Sequence, residues 1–297
     1  MSEFVLQLDD ISKSFAGVHA LRGVKLALRA GEVHALLGEN GAGKSTLVKI
    51  ITGVYQPDSG EITLDGRPIH LADPRQANAL GISAIYQELS IFPDLDIAEN
   101  IFVGRRPRLF GIFVDWPSMY GEAGRLLDTL GVHLDLRTKA RNLSIAQQQM
   151  VEIARALSMR SRILIMDEPT SALTLHEVAD LFQIVRRLRE AGTAILFISH
   201  RLEELFEIAD RVTVLRDGAY VDTRPMTGVT QDELIRMMVG RSVTELFPKQ
   251  DVQPGPVALR VSGLSRAGAF SDVSFEVRQG EILGMAGLVG AGRPRHD

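Results

Sequence analysis

Residues 38–46 read GENGAGKST and fit the pattern G-x-x-x-x-G-K-[ST]. The apolar run VHALL (33–37) precedes them and the amphipathic segment TLVKIIT (46–52) follows. A loop in this position turns backbone N–H groups toward phosphate oxygens, and the following helix adds its positive end. We expect Lys44 to reach the β- and γ-phosphates of a nucleotide and the Ser45 hydroxyl to bind Mg²⁺. The predicted phosphate-binding residues are Gly38, Glu39, Asn40, Gly41, Ala42, Gly43, Lys44, Ser45 and Thr46.

Outside this loop, short apolar runs alternate with amphipathic segments, which is the pattern of an α/β domain. Continuous apolar runs predict buried strands at 33–37, 163–166 and 194–198. VKLALR (24–29) alternates as a half-exposed antiparallel strand does. Helical periodicity covers 117–130, 147–158, 176–190 and 231–239. Buried-strand patterns are missing between about 88 and 160, so we predict an inserted helical subdomain there. With the phosphate-binding loop and the antiparallel strand, the predicted fold is an α/β P-loop NTPase core with an antiparallel β subdomain and this helical insertion.

Composition narrows the class of protein. The 297 residues are 45% hydrophobic and 24% charged, as in an ordinary globular protein. A net charge of −4 argues against a nucleic-acid partner, and the basic cluster GRRPRLFG (104–111) is expected to be a solvated loop. The sequence has no cysteine, and therefore no disulfide or thiolate metal site, which fits a reducing compartment. MSEFVLQLDD (1–10) does not resemble a signal peptide, and no run reaches the ~20 apolar residues of a membrane helix.

Two carboxylates follow the predicted strand 163–166. Asp167 would hold the shell of a Mg²⁺ ion, and Glu168 would polarise an attacking water. The two sit where ligands bind in open α/β sheets, at the carboxyl end of a strand. A structural alternative is that this Asp-Glu pair caps the next helix.

Two more polar residues follow predicted strands. His200 comes after 194–198, where its imidazole could hydrogen-bond a γ-phosphate or the attacking water. Gln87 lies in ISAIYQELS (82–90), and its amide could bind Mg²⁺ and sense its presence. Taken alone, Gln87 would be read as an ordinary core or surface residue.

The last fifth of the sequence repeats part of the first. Prolines and a glycine in FPKQDVQPGPVAL (247–259) predict a linker. Beyond it, GEILGMAGLVGAGR (280–293) aligns with GEVHALLGENGAGK (31–44) at six of 14 positions, which indicates an internal duplication. The predicted organisation is a domain at 1–246, a linker at 247–257 and the start of a second domain at 258–297.

Together with LSIAQQQMVEIARAL (143–157), these segments resemble the ATP-binding subunit of an ABC transporter. In this comparison residues 38–46 match the Walker A motif, and Gln87 matches the Q-loop. Asp167 and Glu168 match the Walker B pair, and His200 matches the switch histidine. SALT (171–174) matches the D-loop. The signature motif corresponds to Leu143, Ser144, Ile145, Ala146 and Gln147.

The resemblance also implies how the domain would work. In the family two such domains dimerise head to tail around ATP, and each phosphate loop faces the signature of the other domain. The usual signature is Leu-Ser-Gly-Gly-Gln, so Ile145 and Ala146 should make a poor anion cradle here. Phe15 falls where the family places an aromatic ring against adenine; a buried strand-end phenylalanine is the alternative.

A finer resemblance is to the tandem-domain importers of ribose, galactose and xylose, carried by YQELS, ISHRLEEL and MVGRSVTELFP. In that class the second Walker A reads GLVGAGR, and Arg293 stands at its last position here. The chain is therefore expected to be cut short at the start of its second domain, with the better signature belonging to the missing part.

The implied function is an ATPase, using ATP and Mg²⁺, that couples hydrolysis to monosaccharide uptake at the cytoplasmic face of the inner membrane. The implied partners are membrane permease subunits and, through them, a periplasmic or extracellular sugar-binding protein, with no nucleic acid. SIFPDLDIAENIFVG (90–104) would contact the permease, or its apolar side chains would pack internally. The alternatives are an importer of a nucleoside or similar solute, a ribosome-acting tandem ATPase, and a non-functional remnant. Arg293, the short linker and the acidic balance argue against the ribosomal class.

Overall fold

The computed structural model describes residues 3–86, 90–159, 161–171, 173–240 and 253–285. The chain divides into two compact units, Met1–Val243 and Thr244–Asp297. Most of the predicted linker (247–257) lies outside the described residues, so its limits stay a prediction. Within the described ranges, no helix is both long and apolar enough to cross a bilayer.

The first unit combines short strands with helices on both faces of a sheet. Its strands are β1 (Leu6–Phe15), β2 (Val18–Leu28), β3 (Val33–Leu37), β4 (Ser59–Leu64), β5 (Arg67–Pro68), β6 (Ile82–Ile85), β7 (Arg108–Leu109), β8 (Phe113–Val114), β9 (Ile163–Asp167), β10 (Ala194–Ile198), β11 (Arg211–Arg216) and β12 (Ala219–Pro225). Its helices are α1 (Lys44–Ile51), α2 (Pro74–Ala79), α3 (Ile97–Ile101), α4 (Trp116–Leu130), α5 (Ile145–Leu157), α6 (Leu175–Glu190), α7 (Leu202–Ile208) and α8 (Gln231–Val239).

Ten of these strands form one mixed sheet in the order β5-β4-β1-β2-β12-β11-β3-β10-β9-β6. From β11 to β6 the neighbours are parallel, whereas β5, β4, β1 and β2 form an antiparallel part. The two parts meet through β12, which pairs antiparallel with β11 and touches β2 at Ala219 and Arg22. The predicted core and antiparallel subdomain are both present.

Alternate residues of the central strands belong to two hydrophobic clusters. On β10, Ile195 and Phe197 join the cluster that contains residues of α3 to α8. Leu196 and Ile198 join the cluster of α1, α2 and the antiparallel strands. Because both faces are covered, these strands read as continuous apolar runs in the sequence.

The predicted helical subdomain contains α3, α4 and α5 together with the small hairpin β7–β8, which the sequence analysis did not predict. In segment 90–104, some apolar side chains pack internally and others are exposed where a permease could contact them. Ile101 and Phe102 are buried in the core, whereas the Phe92 side chain is 51% exposed. The basic cluster 104–111 is solvated as expected, since Arg108 and most of its neighbours are exposed.

The strand registers bring the predicted site residues to one edge of the sheet. Ile198 lies beside Asp167 on one side and beside Leu36 on the other. The loops that follow β3, β9 and β10 therefore leave the sheet at the same edge, because all three strands run in parallel.

The second unit contains an antiparallel hairpin, β13 (Val257–Arg266) and β14 (Phe270–Arg278). It repeats a local feature of β1 and β2. Gly23 has a φ of 59° and its N–H donates to Ser12 Oγ at 3.0 Å. Asp272, which aligns with Gly23, has a φ of 53° and its N–H donates to Ser265 Oγ at 2.8 Å. The two residues share a positive φ, but Ser265 aligns with Ala16 and not with Ser12, so the duplication stays a prediction from the sequence.

The end of the described part of the second unit differs from its counterpart in the first unit. Residues 281–285 align with 32–36, most of which belong to β3, yet they have no regular secondary structure. In the first unit β3 pairs with β10 on one side and β11 on the other. The described part of the second unit contains no strands in those two positions, so a third strand has nothing to pair with there.

Candidate functional site

The loop between β3 and α1 requires glycine at two positions. A Cβ atom on Gly38 would lie 2.5 Å from the Leu215 carbonyl oxygen, and one on Gly43 would lie 2.6 Å from that of Ala20. Gly43 also has a φ of 95° and forms the N-cap of α1, where no side chain caps the helix. The first N–H groups of α1 are therefore left for a ligand, and the helix N-terminus favours a negatively charged one.

Lys44 is the cation of this loop. Its Nζ donates to the carbonyl oxygens of Gly38 at 2.7 Å and Glu39 at 3.0 Å. Burial lowers the pKa of Lys44, while the charges of Glu168 and Asp167 act in the opposite direction. The charges of the two carboxylates thus act on the lysine, as expected for a lysine that binds phosphates next to them.

Asp167 is the last residue of β9. Burial raises its pKa, the neighbouring charge of Glu168 raises it further, and Lys44 and Lys49 oppose both effects. Burial is the largest of these effects on the pKa of Asp167, so its charged form is disfavoured until a cation pairs with it. A carboxylate and the Ser45 hydroxyl are oxygen ligands of the kind that Mg²⁺ prefers, so these residues fit a magnesium ion.

Glu168 has a strained backbone next to His200. Its φ is 50°, a conformation that costs a non-glycine residue ~1 kcal/mol or more and is often found at functional sites. Its N–H donates to the Ile198 carbonyl at 2.9 Å. His200 Nδ1 lies 3.4 Å from Glu168 Oε1, and the His200 side chain is 58% exposed. The structure thus brings together the two residues that were predicted to act on the attacking water.

The capping alternative for the Asp-Glu pair is wrong. The next helix, α6, has Thr174 as its N-cap, and Thr174 forms a capping box with Glu177. Asp167 and Glu168 are therefore not used as caps.

Two other predicted residues differ in how far the structure describes them. Gln87 lies outside the described residues, so its role stays a prediction. Phe15 ends β1 and is 39% exposed, so the interpretation as a buried residue is wrong. The Phe15 ring meets the edge of Tyr55 with centroids 5.1 Å apart, and Lys13 Nζ lies 5.5 Å from the Phe15 ring centroid. A partly exposed aromatic ring suits the stacking of a base, which remains a prediction.

The signature segment begins helix α5. Ser144 is the N-cap: its Oγ accepts from the Gln147 N–H at 3.2 Å, and Gln147 Oε1 accepts from the Ser144 N–H at 2.9 Å. Ile145 is 48% exposed, and Leu143 is buried. The capping box occupies N–H groups that could otherwise face an anion, and Ile145 and Ala146 add side chains where glycines would leave room. Both features favour the expectation of a poor anion cradle.

One buried residue that joins two of the site loops was not predicted from the sequence. Glu204, in the first turn of α7, is buried and accepts hydrogen bonds from Thr170 and Ser199. The sequence signal was the acid pair in ISHRLEEL, but nothing in that pattern indicates which acid points inward.

Comparisons with known proteins agree with this geometry. The family model described as ABC transporter matches residues 21–171. The chain is 59% identical, over 97% of its length, to the ribose import ATP-binding protein RbsA 2 of Streptomyces avermitilis. It is 54% identical, over 98% of its length, to an Agrobacterium fabrum protein provisionally named for ribose, galactose and methyl galactoside import. The chain spans only 57% of the length of each of these two relatives.

Solved structures show the same architecture. The crystal structure of a nucleotide-free ATP-binding cassette from an ABC transporter is 27% identical to this chain, with a TM-score of 0.69. That match covers 80% of this chain and 96% of the other. MJ1267, an ATP-binding cassette of an ABC transporter, is 26% identical with a TM-score of 0.71, covering 80% and 99% of the two chains.

Proposed function

The chain belongs to the ABC transporter family of ATP-binding proteins, and on that premise we propose that it hydrolyses ATP to drive monosaccharide uptake through a membrane permease. One observation supports the ATPase assignment most directly. The loops after β3, β9 and β10 leave the same sheet edge, which gathers Lys44, Asp167, Glu168 and His200. A cation, two carboxylates and an imidazole at one edge are the groups that phosphate binding and water activation need.

Residues of the loop 38–46 would bind the phosphates of ATP, and residues of this loop and of β9 would bind the metal ion. The uncapped N-terminus of α1 and the Lys44 ammonium would hold the phosphates of ATP. Lys44 would exchange its two carbonyl partners, Gly38 and Glu39, for phosphate oxygens. Ser45 and Asp167 would hold Mg²⁺, and Gln87 would add an amide ligand. The ion would supply neutralisation of the phosphate charge.

Glu168 and His200 would act on the attacking water. The Glu168 carboxylate would accept a hydrogen bond from this water and take up its proton as the bond from the water oxygen to the γ-phosphorus forms and the bond from the γ-phosphorus to the β–γ bridging oxygen breaks. His200 lies 3.4 Å from that carboxylate and is more than half exposed, so it can hydrogen-bond a γ-phosphate oxygen from the solvent side. The products of this reaction are ADP and inorganic phosphate.

The transported solute is proposed from the relatives. The Streptomyces protein is named for ribose import, and the Agrobacterium protein for ribose, galactose and methyl galactoside import. We therefore propose that the transported solute is a monosaccharide. One alternative is that the solute is a nucleoside, and another is that the chain is a non-functional remnant. The partners would be permease subunits, a periplasmic or extracellular sugar-binding protein, and a second ATPase domain in a head-to-tail dimer. The protein would lie at the cytoplasmic face of the inner membrane.

An uptake experiment in the native cells tests this proposal. A chromosomal Lys44→Ala substitution should abolish uptake of radiolabelled ribose or galactose and leave nucleoside uptake unchanged. Loss of nucleoside uptake alone would favour the competing solute. Unchanged uptake of every solute would indicate a remnant.

A further inference from the structure

Glu204 is a buried carboxylate with three hydrogen-bond donors around it. The residue is 7% exposed. Its Oε2 accepts from Ser199 Oγ at 2.6 Å and from Thr170 Oγ1 at 2.8 Å, and its Oε1 accepts from Arg201 Nη1 at 3.3 Å. Burying a carboxylate is costly unless it is hydrogen-bonded and paired with a cation. These three donors meet that requirement, so the carboxylate is held in one position.

The two hydroxyls belong to different loops of the candidate site. Thr170 comes two residues after Glu168, in the loop that follows β9. Ser199 comes directly before His200, in the loop that follows β10. Both residues are 2% exposed, so water is a poor substitute for the carboxylate as their partner. One carboxylate oxygen therefore joins the loop of Glu168 to the loop of His200.

This connection lies where the backbone needs support. Glu168 has a φ of 50°, and such conformations persist only when the surroundings hold them firmly. The direct backbone link between the loops is the bond from the Glu168 N–H to the Ile198 carbonyl, at 2.9 Å. The Glu204 bonds act on either side of that link, at Thr170 and Ser199.

We propose that Glu204 is a positioning residue that fixes the Glu168 carboxylate and the His200 imidazole relative to each other. The inference rests on the proposed function, because it assigns to Glu204 the geometry needed for ATP hydrolysis. Glu204 itself touches neither the water nor the nucleotide in this account; it acts through Thr170 and Ser199.

The substitution Glu204→Gln changes this connection with almost no change of shape. If the amide oxygen faces Thr170 and Ser199, the amide NH₂ faces the Arg201 guanidinium, and two donors oppose each other. If the amide turns over, the NH₂ faces the two hydroxyls, and their present donation is lost. Glu203→Gln is a matched control, since Glu203 is the adjacent residue on α7, is exposed, and undergoes the same change of charge.

The test compares wild type, Glu204→Gln, Glu203→Gln, Thr170→Val and Glu168→Gln in the full chain. We expect Glu204→Gln to lower kcat for Mg·ATP by about tenfold while KM changes less than about twofold, because the loop 38–46 is untouched. Thr170→Val should lower kcat by a similar factor. In the double variant Glu204→Gln/Thr170→Val, kcat should fall by less than the product of the two single factors. Glu203→Gln should behave as wild type.

Hydrogen–deuterium exchange supplies a readout that does not depend on turnover. In Glu204→Gln, peptides that cover 166–171 and 198–200 should exchange faster, while peptides from α8 should be unchanged. Wild-type kcat in Glu204→Gln would overturn the inference. So would equally accelerated exchange in every peptide, since it would show a contribution to global stability alone. Wild-type turnover in Glu168→Gln would instead refute the proposed function, and the exchange data would still decide whether Glu204 holds the loops.

Discussion

Replacing Lys44 by alanine should weaken ATP binding by about ten- to thirtyfold. An ammonium ~4 Å from a phosphate charge gains about 4 kcal/mol at an effective dielectric constant of ~20. Against this gain, Lys44 must give up its hydrogen bonds to the Gly38 and Glu39 carbonyls, each with a net value of about 1 kcal/mol. The difference is about 2 kcal/mol, or about 1.4 kcal/mol if each hydrogen bond contributes about 1.3 kcal/mol, which corresponds to a change in Kd of about ten- to thirtyfold.

Isothermal titration calorimetry with ATP at fixed Mg²⁺ measures this change. Lys25→Ala is the control for the loss of one positive charge, since Lys25 is an exposed residue of β2 that pairs with Asp9 at 3.0 Å. Its Kd should equal that of wild type. A Kd for Lys44→Ala within twofold of wild type would refute the assignment of this loop to the phosphates.

Three further predictions concern the metal, acid stability and the partner surface. Asp167→Asn should move half-maximal ATPase activity to a higher Mg²⁺ concentration, measured by titration at saturating ATP, and an unchanged midpoint would contradict its role. Burial lowers the pKa of His34, so the unfolded state takes up a proton first as the pH falls below ~6.5, and stability is lost from there downward. Urea unfolding should show this loss of stability between pH 7.5 and 5.5, and His34→Gln should reduce the loss. An equal pH dependence in wild type and His34→Gln would refute the role of His34. Phe92→Cys should crosslink to the permease in reconstituted membranes, whereas the buried Ile101→Cys should not.

The sequence predicted those parts of the fold whose pattern follows from burial on both faces or on one stripe. The strands predicted at 33–37 and 194–198 coincide with β3 and β10, and helix 231–239 coincides with α8. Short elements were missed for a physical reason. Helix α3 has five residues, so it is too short to show periodicity, and its Asp96–Glu99 capping box is its main sequence signal.

The site was predictable where it depends on strand ends. Residues that follow parallel strands must meet at one edge, which is why Glu168 and His200 were expected to be near each other. The supporting contacts were not predictable, because they depend on how α7 is rotated against the sheet. That rotation buries Glu204 and leaves Glu203 exposed. The exposure of Phe15 depends in the same way on how the end of β1 lies against Tyr55.

We propose that the loops after β3, β9 and β10 form a site for ATP hydrolysis in which Glu168 activates the water. Steady-state phosphate release by wild type and Glu168→Gln, together with the ATP affinity of each, tests it most directly. The substitution keeps the shape and the hydrogen bonding of the side chain but removes its basicity. We predict that turnover falls at least a hundredfold, consistent with general-base contributions of ~10²–10⁴, while the Kd for Mg·ATP stays within about twofold. Hydrolysis by Glu168→Gln at the wild-type rate would contradict the account.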